Sequence, residues 1–189
     1  MVSDQSISLM LRPVAACRPM THITASRAIP AFLSMLAALS LPHVRAGEAG
    51  PPKTAGEQLV AELWKNVYNL PQDLDTIDRV CAEDVILTSS GTDVVGRAAF
   101  KKWAATFSSR IKDIRLVNNE MFTSADGTRV VSRWTVTGTN AGMFGTPADG
   151  KPVKFTGIAI WEIRDGKLAH NWVERSAWEL ICSWGYPEP

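Results

Sequence analysis

The second half of the chain alternates apolar and polar residues in four successive segments, and this alternation constrains the fold more than any other feature. The segments are IRLVNNEMFTS (114–124), VVSRWTVTGT (130–139), VKFTGIAIWEI (153–163) and LAHNWVERS (168–176). Successive side chains of a β-strand point to opposite faces, so a period of two predicts strands with one buried face. Two of the connecting turns, SADGTR and RDGK, contain Asp-Gly, which is the strongest short-range signal for a β-hairpin. The four segments therefore predict an antiparallel sheet.

The region before this sheet has helical periodicity instead. Apolar residues from Leu59 to Tyr68 recur at spacings of three and four, and Pro71 ends that helix. A short second helix carries Leu74, Ile77, Val80 and Cys81, VILTS (85–89) is a short strand, and GRAAFKKWAATFSSR (96–110) is a third amphipathic helix. Helices followed by a strongly curved antiparallel sheet predict an α+β domain, with the helices packed on one face of the sheet. Such a domain encloses a cone that is open at its wide end.

The first 46 residues have the pattern of a secretory signal peptide. Arg27 precedes the apolar run IPAFLSMLAALSLP (29–42), and HVRA follows it. This run is shorter than the roughly 20 apolar residues of a membrane-spanning helix, so we expect no stable membrane anchor. Cleavage after Ala46 would leave a flexible leader (47–56) and one domain (57–189), in the periplasm or outside the cell. A buried or amphipathic helix is the alternative, and translation starts at either Met1 or Met20.

Charge and cysteine content exclude some functions. The 20 Lys and Arg residues balance 19 Asp and Glu residues without a basic block, so we expect no nucleic-acid partner. The sequence has no CxxC or HExxH pattern and no close His/Cys cluster, so no metal site is predicted. Signal cleavage would remove Cys17. Cys81 and Cys182 then either form a disulfide, which an oxidising compartment permits, or remain two buried thiols.

Several motifs resemble the SnoaL-like family of polyketide and ester cyclases, which belongs to the nuclear transport factor two-like superfamily. They are GRAAF (96–100), RWTVTGTNAGMFGTPADGKPV (133–153), IWEIRDGKLAHNW (160–172) and WG (184–185). The resemblance extends from about residue 57 to residue 185. It implies a cone-shaped, curved antiparallel sheet wrapped around N-terminal helices, with no metal or organic cofactor. It also implies a homodimer, and a carboxylate that acts as general acid and base on a small hydrophobic carbonyl or ester compound.

The sequence departs from the family at the expected catalytic positions. The family's catalytic Asp, four residues after the tryptophan of the last strand, corresponds to Ser176, and its usual histidine after Gly-Thr corresponds to Asn140. A related ketosteroid-isomerase pattern has an acid where this chain has Ser89 or Ser90. Three functions therefore remain open. One is an exported cyclase-type enzyme, and another is a non-catalytic module of the same fold that binds a small molecule or dimerises. The third is an epoxide-hydrolase-like activity, which needs an acid–Arg–acid set around a water.

The last predicted strand carries the candidates for a base that could replace the family's catalytic Asp. Strict alternation points either Leu168, His170, Trp172, Glu174 and Ser176 into the cone, or the residues between them. The first set contains side chains that can transfer a proton, so we predict Glu174 as the catalytic base with His170 beside it. Glu162 joins them if the Asp165-Gly166 turn has three residues and a bulge, which we favour; a two-residue turn would place Glu162 opposite Ala169. The alternatives are a salt bridge of Glu174 to Arg133 or Arg175 and an ordinary polar role for His170.

The long loop between the two central strands is predicted to cover the pocket. Residues 138–152 are rich in Gly and Pro, and Met143 and Phe144 are their only large apolar side chains. Burying these two over the mouth of the cone would form a hydrophobic lid; packing on the outer face of the sheet is the alternative. The predicted substrate-binding residues are Tyr68, Trp103, Trp134, Asn140, Met143, Phe144, Trp161, Trp172 and Ser176.

Overall fold

A computed structural model describes residues 50–186. The helices are α1 (Ala55–Val67), α2 (Thr76–Val80), α3 (Arg97–Ser109) and α4 (Ala177–Ser183). The strands are β1 (Cys81–Ser89), β2 (Thr92–Val95), β3 (Ile111–Thr123), β4 (Arg129–Asn140), β5 (Pro152–Arg164) and β6 (Lys167–Arg175). The predicted α+β class is confirmed.

All six strands form one curved sheet in the order β2-β1-β6-β5-β4-β3. Neighbouring strands are antiparallel except β1 and β6, which are parallel. The sequence did not predict β2, which forms a hairpin with β1 through Ser90 and Gly91. Both turn residues have positive φ angles, 53° and 73°, as a two-residue turn of the type that matches strand twist requires.

Helix α1 packs its apolar side on the concave face of the sheet. The side chain of Thr54 caps the helix by accepting a hydrogen bond from the backbone N–H of Glu57 at 3.1 Å. Val60, Leu63 and Val67 are fully buried. Trp64 crosses to the sheet, where its Nε1 donates to Oγ of Ser132 at 2.8 Å. Trp64 and Tyr68, at the end of this helix, form part of the wall of the interior of the cone.

The β5–β6 hairpin contains an irregularity that decides which side chains enter the cone. Its turn has two residues, since Arg164 pairs with Lys167, so the predicted three-residue turn is wrong. Beyond the turn, Ile163 pairs with Leu168 but Glu162 pairs with His170. Ala169 is therefore an extra residue in β6, which makes a β-bulge. The expected pairing of Glu162 with His170 does occur, but the bulge produces it rather than the turn.

The bulge reverses the facing of β6. Leu168 and Ala169 are both buried, and beyond them Asn171 and Val173 are buried as well. A shift of one residue moves every following side chain to the opposite face of a strand. The prediction that His170, Trp172 and Glu174 point into the cone is therefore wrong, because it continued the alternation of Leu168 through a bulge.

The predicted signal peptide (1–46) and the first residues of the predicted leader lie outside the described residues. Helix α1 begins at Ala55, two residues before the predicted domain boundary. Across the part of the chain that is described, no helix is long and apolar enough to cross a membrane. Cys81 is a buried free thiol, so it does not form the disulfide with Cys182 that was one alternative.

Candidate functional site

The interior of the cone contains two adjoining cavities. The inner cavity has a volume of about 10 Å³ and lies against α1 and the concave face of the sheet. The outer cavity has a volume of about 290 Å³ and lies towards the wide end. Trp103, Phe107 and Arg175 line both, and we call the two cavities together the cone site. The remaining inner lining is Trp64, Tyr68, Leu87, Leu116, Trp134, Val136, Asn171 and Val173, and the remaining outer lining is Ser89, Ser90, Thr106, Arg110, Met143 and Phe144.

Arg175 is the central polar residue of the cone site. The bulge at Ala169 brings its side chain inward, where Nη1 donates to Oγ of Ser89 at 2.7 Å. Its guanidinium carbon lies 5.3 Å from the ring centre of Trp103 and 5.4 Å from that of Phe107. Burial lowers the pKa of Arg175, but a guanidinium keeps its proton in proteins. Arg175 therefore places a positive charge between the two cavities.

The aromatic surface beside Arg175 comes from α3. Trp103 and Phe107 are four residues apart, which puts them on the same side of a helix. Their rings are parallel to within 4°, with centres 5.4 Å apart. This pair gives the cone site a flat apolar wall next to the guanidinium.

Three residues that line the inner cavity each carry a buried polar atom with no hydrogen-bond partner among the described residues. These atoms are Nε1 of Trp134, Oδ1 of Asn171 and Nε of Arg175. Buried polar groups of native proteins are nearly always paired with protein or water. Tyr68 adds a phenol to the same wall, and burial raises its pKa, against the opposing effect of the Arg175 charge. The inner cavity therefore offers several neutral or cationic donors to an oxygen atom.

The position of Trp134 depends on Gly157 of β5. A Cβ atom at residue 157 would lie 2.3 Å from the Trp134 ring and 2.7 Å from the backbone oxygen of Glu174. Real Cβ contacts are never this short, so no other residue fits there without a shift. The absence of a side chain at Gly157 lets the Trp134 ring lie against β5 while Trp134 lines the inner cavity.

The loop between β4 and β5 contributes two residues to the outer cavity. Met143 is buried, Phe144 remains 43% exposed, and both line the outer cavity. The Phe144 ring meets Phe155 edge to face, with centres 6.2 Å apart. Phe144 has a φ angle of 53°, which is uncommon for a bulky side chain. Both residues thus lie at the outer cavity, and their role as a lid stays a prediction.

Asn140 holds this loop in place and does not line the cone. Its Nδ2 donates to Thr146, Pro147 and Asp149, and its Oδ1 accepts from the backbone N–H groups of Gly142 and Met143. The side chain is 3% exposed. The prediction that Asn140 contacts substrate is wrong because the loop already uses both ends of its amide.

The three predicted catalytic residues lie on the outer face of the sheet. Glu174 is exposed and pairs with Ile158. Glu162 forms an ion pair with Arg129 at 3.1 Å. His170 is hydrogen-bonded through Nε2 to Thr88 at 2.8 Å and stacks on Trp172 at 3.7 Å between ring centres. The structure thus brings His170 and Glu162 together as cross-strand neighbours, but outside the cone.

Three predicted substrate-binding residues also lie elsewhere. Trp172 follows the bulge and is 37% exposed on the outer face. Ser176 is exposed at the start of α4, where it is hydrogen-bonded to Thr156 at 2.9 Å. Trp161 is fully buried in the core, and its ring packs against Trp64 at 5.8 Å between ring centres. Tyr68, Trp103, Trp134, Met143 and Phe144 do line the cone site.

Sequence reasoning missed Arg175, Phe107, Asn171 and Arg110 as lining residues. For Arg175 and Asn171, a signal was present in Leu168-Ala169, where two successive apolar residues interrupt the alternation. Such an interruption is compatible with a bulge that leaves both residues buried. The lining residues found within 50–186 include no carboxylate and no imidazole. In the same range, no three His, Cys, Asp or Glu residues are grouped to hold a metal ion.

Comparison with known families agrees with this architecture. The sequence profile of the SnoaL-like domain matches residues 59–171, which is more than half of the chain. The chain belongs to the SnoaL-like domain family. No curated protein sequence is significantly similar to it.

Solved structures share the fold of this SnoaL-like protein. One, described as a SnoaL-like polyketide cyclase from Jannaschia sp. CCS1, has a TM-score of 0.64 at 18% identity and covers 73% of this chain and 96% of its own. A SnoaL-like polyketide cyclase from Agrobacterium tumefaciens has a TM-score of 0.59 at 16% identity, with coverages of 70% and 99%. A protein with a ketosteroid isomerase-like fold from Catenulispora acidiphila, in complex with trimethylamine, has a TM-score of 0.56 at 14% identity, with coverages of 69% and 94%. At these identities the similarity demonstrates the fold alone.

Proposed function

We propose that this SnoaL-like protein binds a small hydrophobic molecule in the cone site and holds one of its oxygen atoms with Arg175, Trp134 and Tyr68. The observation that carries the proposal is the set of unpaired donors on an otherwise aromatic wall. Nε of Arg175 and Nε1 of Trp134 are both buried without a partner among the described residues. A carbonyl, ester or carboxylate oxygen in the inner cavity would accept from them, and this would remove the cost of leaving them unpaired.

The outer cavity suits the apolar part of such a molecule. Its volume of about 290 Å³ is at the lower end of the range for small-molecule sites, roughly 300–1,000 Å³. Trp103 and Phe107 supply a flat wall, and Met143 and Phe144 supply the lid. Apolar burial provides most of the affinity in such a site, and a few polar groups fix the orientation of the ligand.

A cyclase-type enzyme is the second candidate function, favoured by membership of the SnoaL-like family. The same donors would stabilise the negative oxygen that develops when a proton is removed next to a carbonyl. Glu174 is not the base in this proposal because it is exposed on the outer face. Since no carboxylate or imidazole is among the lining residues described here, water or a basic group of the substrate would remove the proton.

Native mass spectrometry of the purified protein tests the binding proposal. We expect a retained small molecule, or its recovery after incubation with a hydrophobic extract, in the wild type and in Glu174→Gln, but not in Arg175→Met. A panel of keto-esters, assayed with the same three proteins, tests the enzyme candidate. If turnover is lost in Arg175→Met but retained in Glu174→Gln, the result favours the enzyme. Retention of the same ligand by Arg175→Met contradicts the proposed role of the cone site.

We also propose that the protein is exported and forms a homodimer through the outer face of its sheet. The N-terminal pattern of residues 1–46 supports export. Support for the dimer comes from a row of partly exposed apolar side chains across neighbouring strands, namely Phe122, Val131, Ile160 and Trp172. N-terminal sequencing of the exported protein should begin at Gly47. Sedimentation of the wild type and Ile160→Lys should give a dimer and a monomer, respectively, and a monomeric wild type contradicts the pairing.

A further inference from the structure

We propose that the ligand of the cone site is an anion, namely a flat aromatic or conjugated monocarboxylate whose carboxylate binds Arg175. This inference rests on the proposed function and narrows its ligand class. It comes from the charge, the geometry and the shape of the site.

The charge of the cone site is unbalanced. Arg175 and Arg110 are among its lining residues, and no acidic residue is among those identified within 50–186. None of the salt bridges formed within residues 50–186 includes Arg175, and its exposed strand neighbour Glu174 acts on it only through longer-range attraction. A partly buried cation with no carboxylate in contact is costly, and an anionic ligand would supply that contact.

The free edge of the Arg175 guanidinium fits a carboxylate. Nη1 already donates to Ser89, while Nε is buried and unpaired. The Nε–Nη2 edge of a guanidinium presents two parallel N–H groups, which match the two oxygens of a carboxylate. A neutral carbonyl would use only one of them. Ser89 therefore fixes the guanidinium in a rotation that leaves its bidentate edge for the ligand.

The walls next to this edge favour a flat ligand. The parallel rings of Trp103 and Phe107 form one side of the outer cavity, and the Phe144 ring and Met143 line the same cavity. A planar ring gains stacking on this surface in addition to apolar burial. A ring joined directly to a carboxylate would place both groups at their partners without flexible bonds to immobilise.

The test compares 2-naphthoate with 2-naphthamide by isothermal titration calorimetry on the full chain at pH 7. The two probes share ring system and shape and differ in charge. We expect the wild type to bind the carboxylate at least about tenfold more tightly than the amide, which corresponds to about 1.4 kcal/mol. Arg175→Met should abolish this preference. Arg175→Lys should retain only part of it, because lysine keeps the positive charge but lacks the two parallel N–H groups of the guanidinium. The control Arg133→Met alters an exposed arginine and should leave the preference unchanged.

Each outcome separates this inference from the proposed function. Equal binding of both probes by the wild type overturns the anion inference and leaves small-molecule binding intact. Binding of neither probe also overturns the inference, and the ligand retained in native mass spectrometry then decides the proposed function independently. If Arg175→Met does not fold, the wild-type comparison and Arg175→Lys still decide between the carboxylate and the amide.

Discussion

The guanidinium carbon of Arg175 lies 5.3 Å from the ring centre of Trp103, although the two residues come from the last strand and the third helix. This contact joins opposite walls of the cone. A cation over an aromatic face is stabilised by about 0.5–2 kcal/mol, with the larger values in places that exclude water. The contact therefore both holds Arg175 in the cone and sets the position of its charge.

Replacing Trp103 should weaken ligand binding. Trp103→Leu removes the ring that faces Arg175 and half of the flat wall, so we expect the affinity for 2-naphthoate to fall about tenfold or more. Calorimetry against the wild type measures the change. Trp178→Leu is the matched control, since Trp178 is 49% exposed and does not line the cone. Equal affinity of Trp103→Leu and the wild type would show that the aromatic wall plays no part in binding.

A methyl group at residue 157 should distort the inner cavity. In Gly157→Ala, the new Cβ would overlap the Trp134 ring, and overpacking of this kind typically costs about 1–3 kcal/mol of unfolding free energy. Urea denaturation measures this cost. In a Trp134→Leu background the same substitution should cost less, because part of the overlap is gone. Full additivity of the two substitutions would mean that Gly157 does not act through Trp134.

Asn140 should matter for stability. Asn140→Ala leaves the backbone N–H groups of Gly142 and Met143 without their acceptor, so we expect a loss of about 2–3 kcal/mol in unfolding free energy. Asn119→Ala, which removes the acceptor of a hydrogen bond from Thr135, should cost less. Denaturant titration of both variants gives the comparison. Unchanged stability of Asn140→Ala would contradict the proposed role of Asn140 in holding the loop.

His170 should make the stability weakly dependent on pH. Desolvation lowers its pKa in the folded protein, and Arg129 acts in the same direction, whereas Asp93 and Glu162 oppose the shift. Between the folded pKa and the unfolded value of about 6.5, the unfolded chain binds more protons, so the folded state loses stability as the pH falls through this range. Thermal unfolding at pH 5 to 8 should detect a decline that is smaller in His170→Gln. An identical pH profile in both proteins would contradict this role of His170.

Most of the fold was predictable because local patterns and tertiary structure agree. Alternation in residues 114–176 and the two Asp-Gly turns predicted β3 to β6, and the helical spacing predicted α1 and α3. The strand β2 was missed because it has only four residues and is paired on one side alone. Ser90, the first residue of its hairpin turn, corresponds in the sequence to one of the two possible acid positions of the ketosteroid-isomerase pattern.

The site was less predictable than the fold because it depends on a single inserted residue. Alternation fixes the relative facing of neighbouring residues, but one bulge at Ala169 reverses the facing of everything after it. For this reason, the Arg175 side chain points into the cone and the Glu174 side chain points away from it. Tyr68, Trp103 and Trp134 were placed correctly because helical and strand periodicity hold before the bulge, and Met143 and Phe144 because large apolar side chains of a loop tend to be buried.

Nuclear magnetic resonance of the ¹⁵N-labelled protein tests the central claim most directly, because the unpaired N–H groups of Trp134 and Arg175 are themselves observable. On titration with 2-naphthoate, we expect large changes in the chemical shifts of the Trp134 indole N–H and the Arg175 Nε–H signals. The Trp161 indole N–H, which is also unpaired among the described residues but lies outside the cavity lining, should remain in place. If the protein is saturated with 2-naphthoate and the chemical shifts of Trp134 and Arg175 do not change, the proposal that these groups bind the ligand is contradicted.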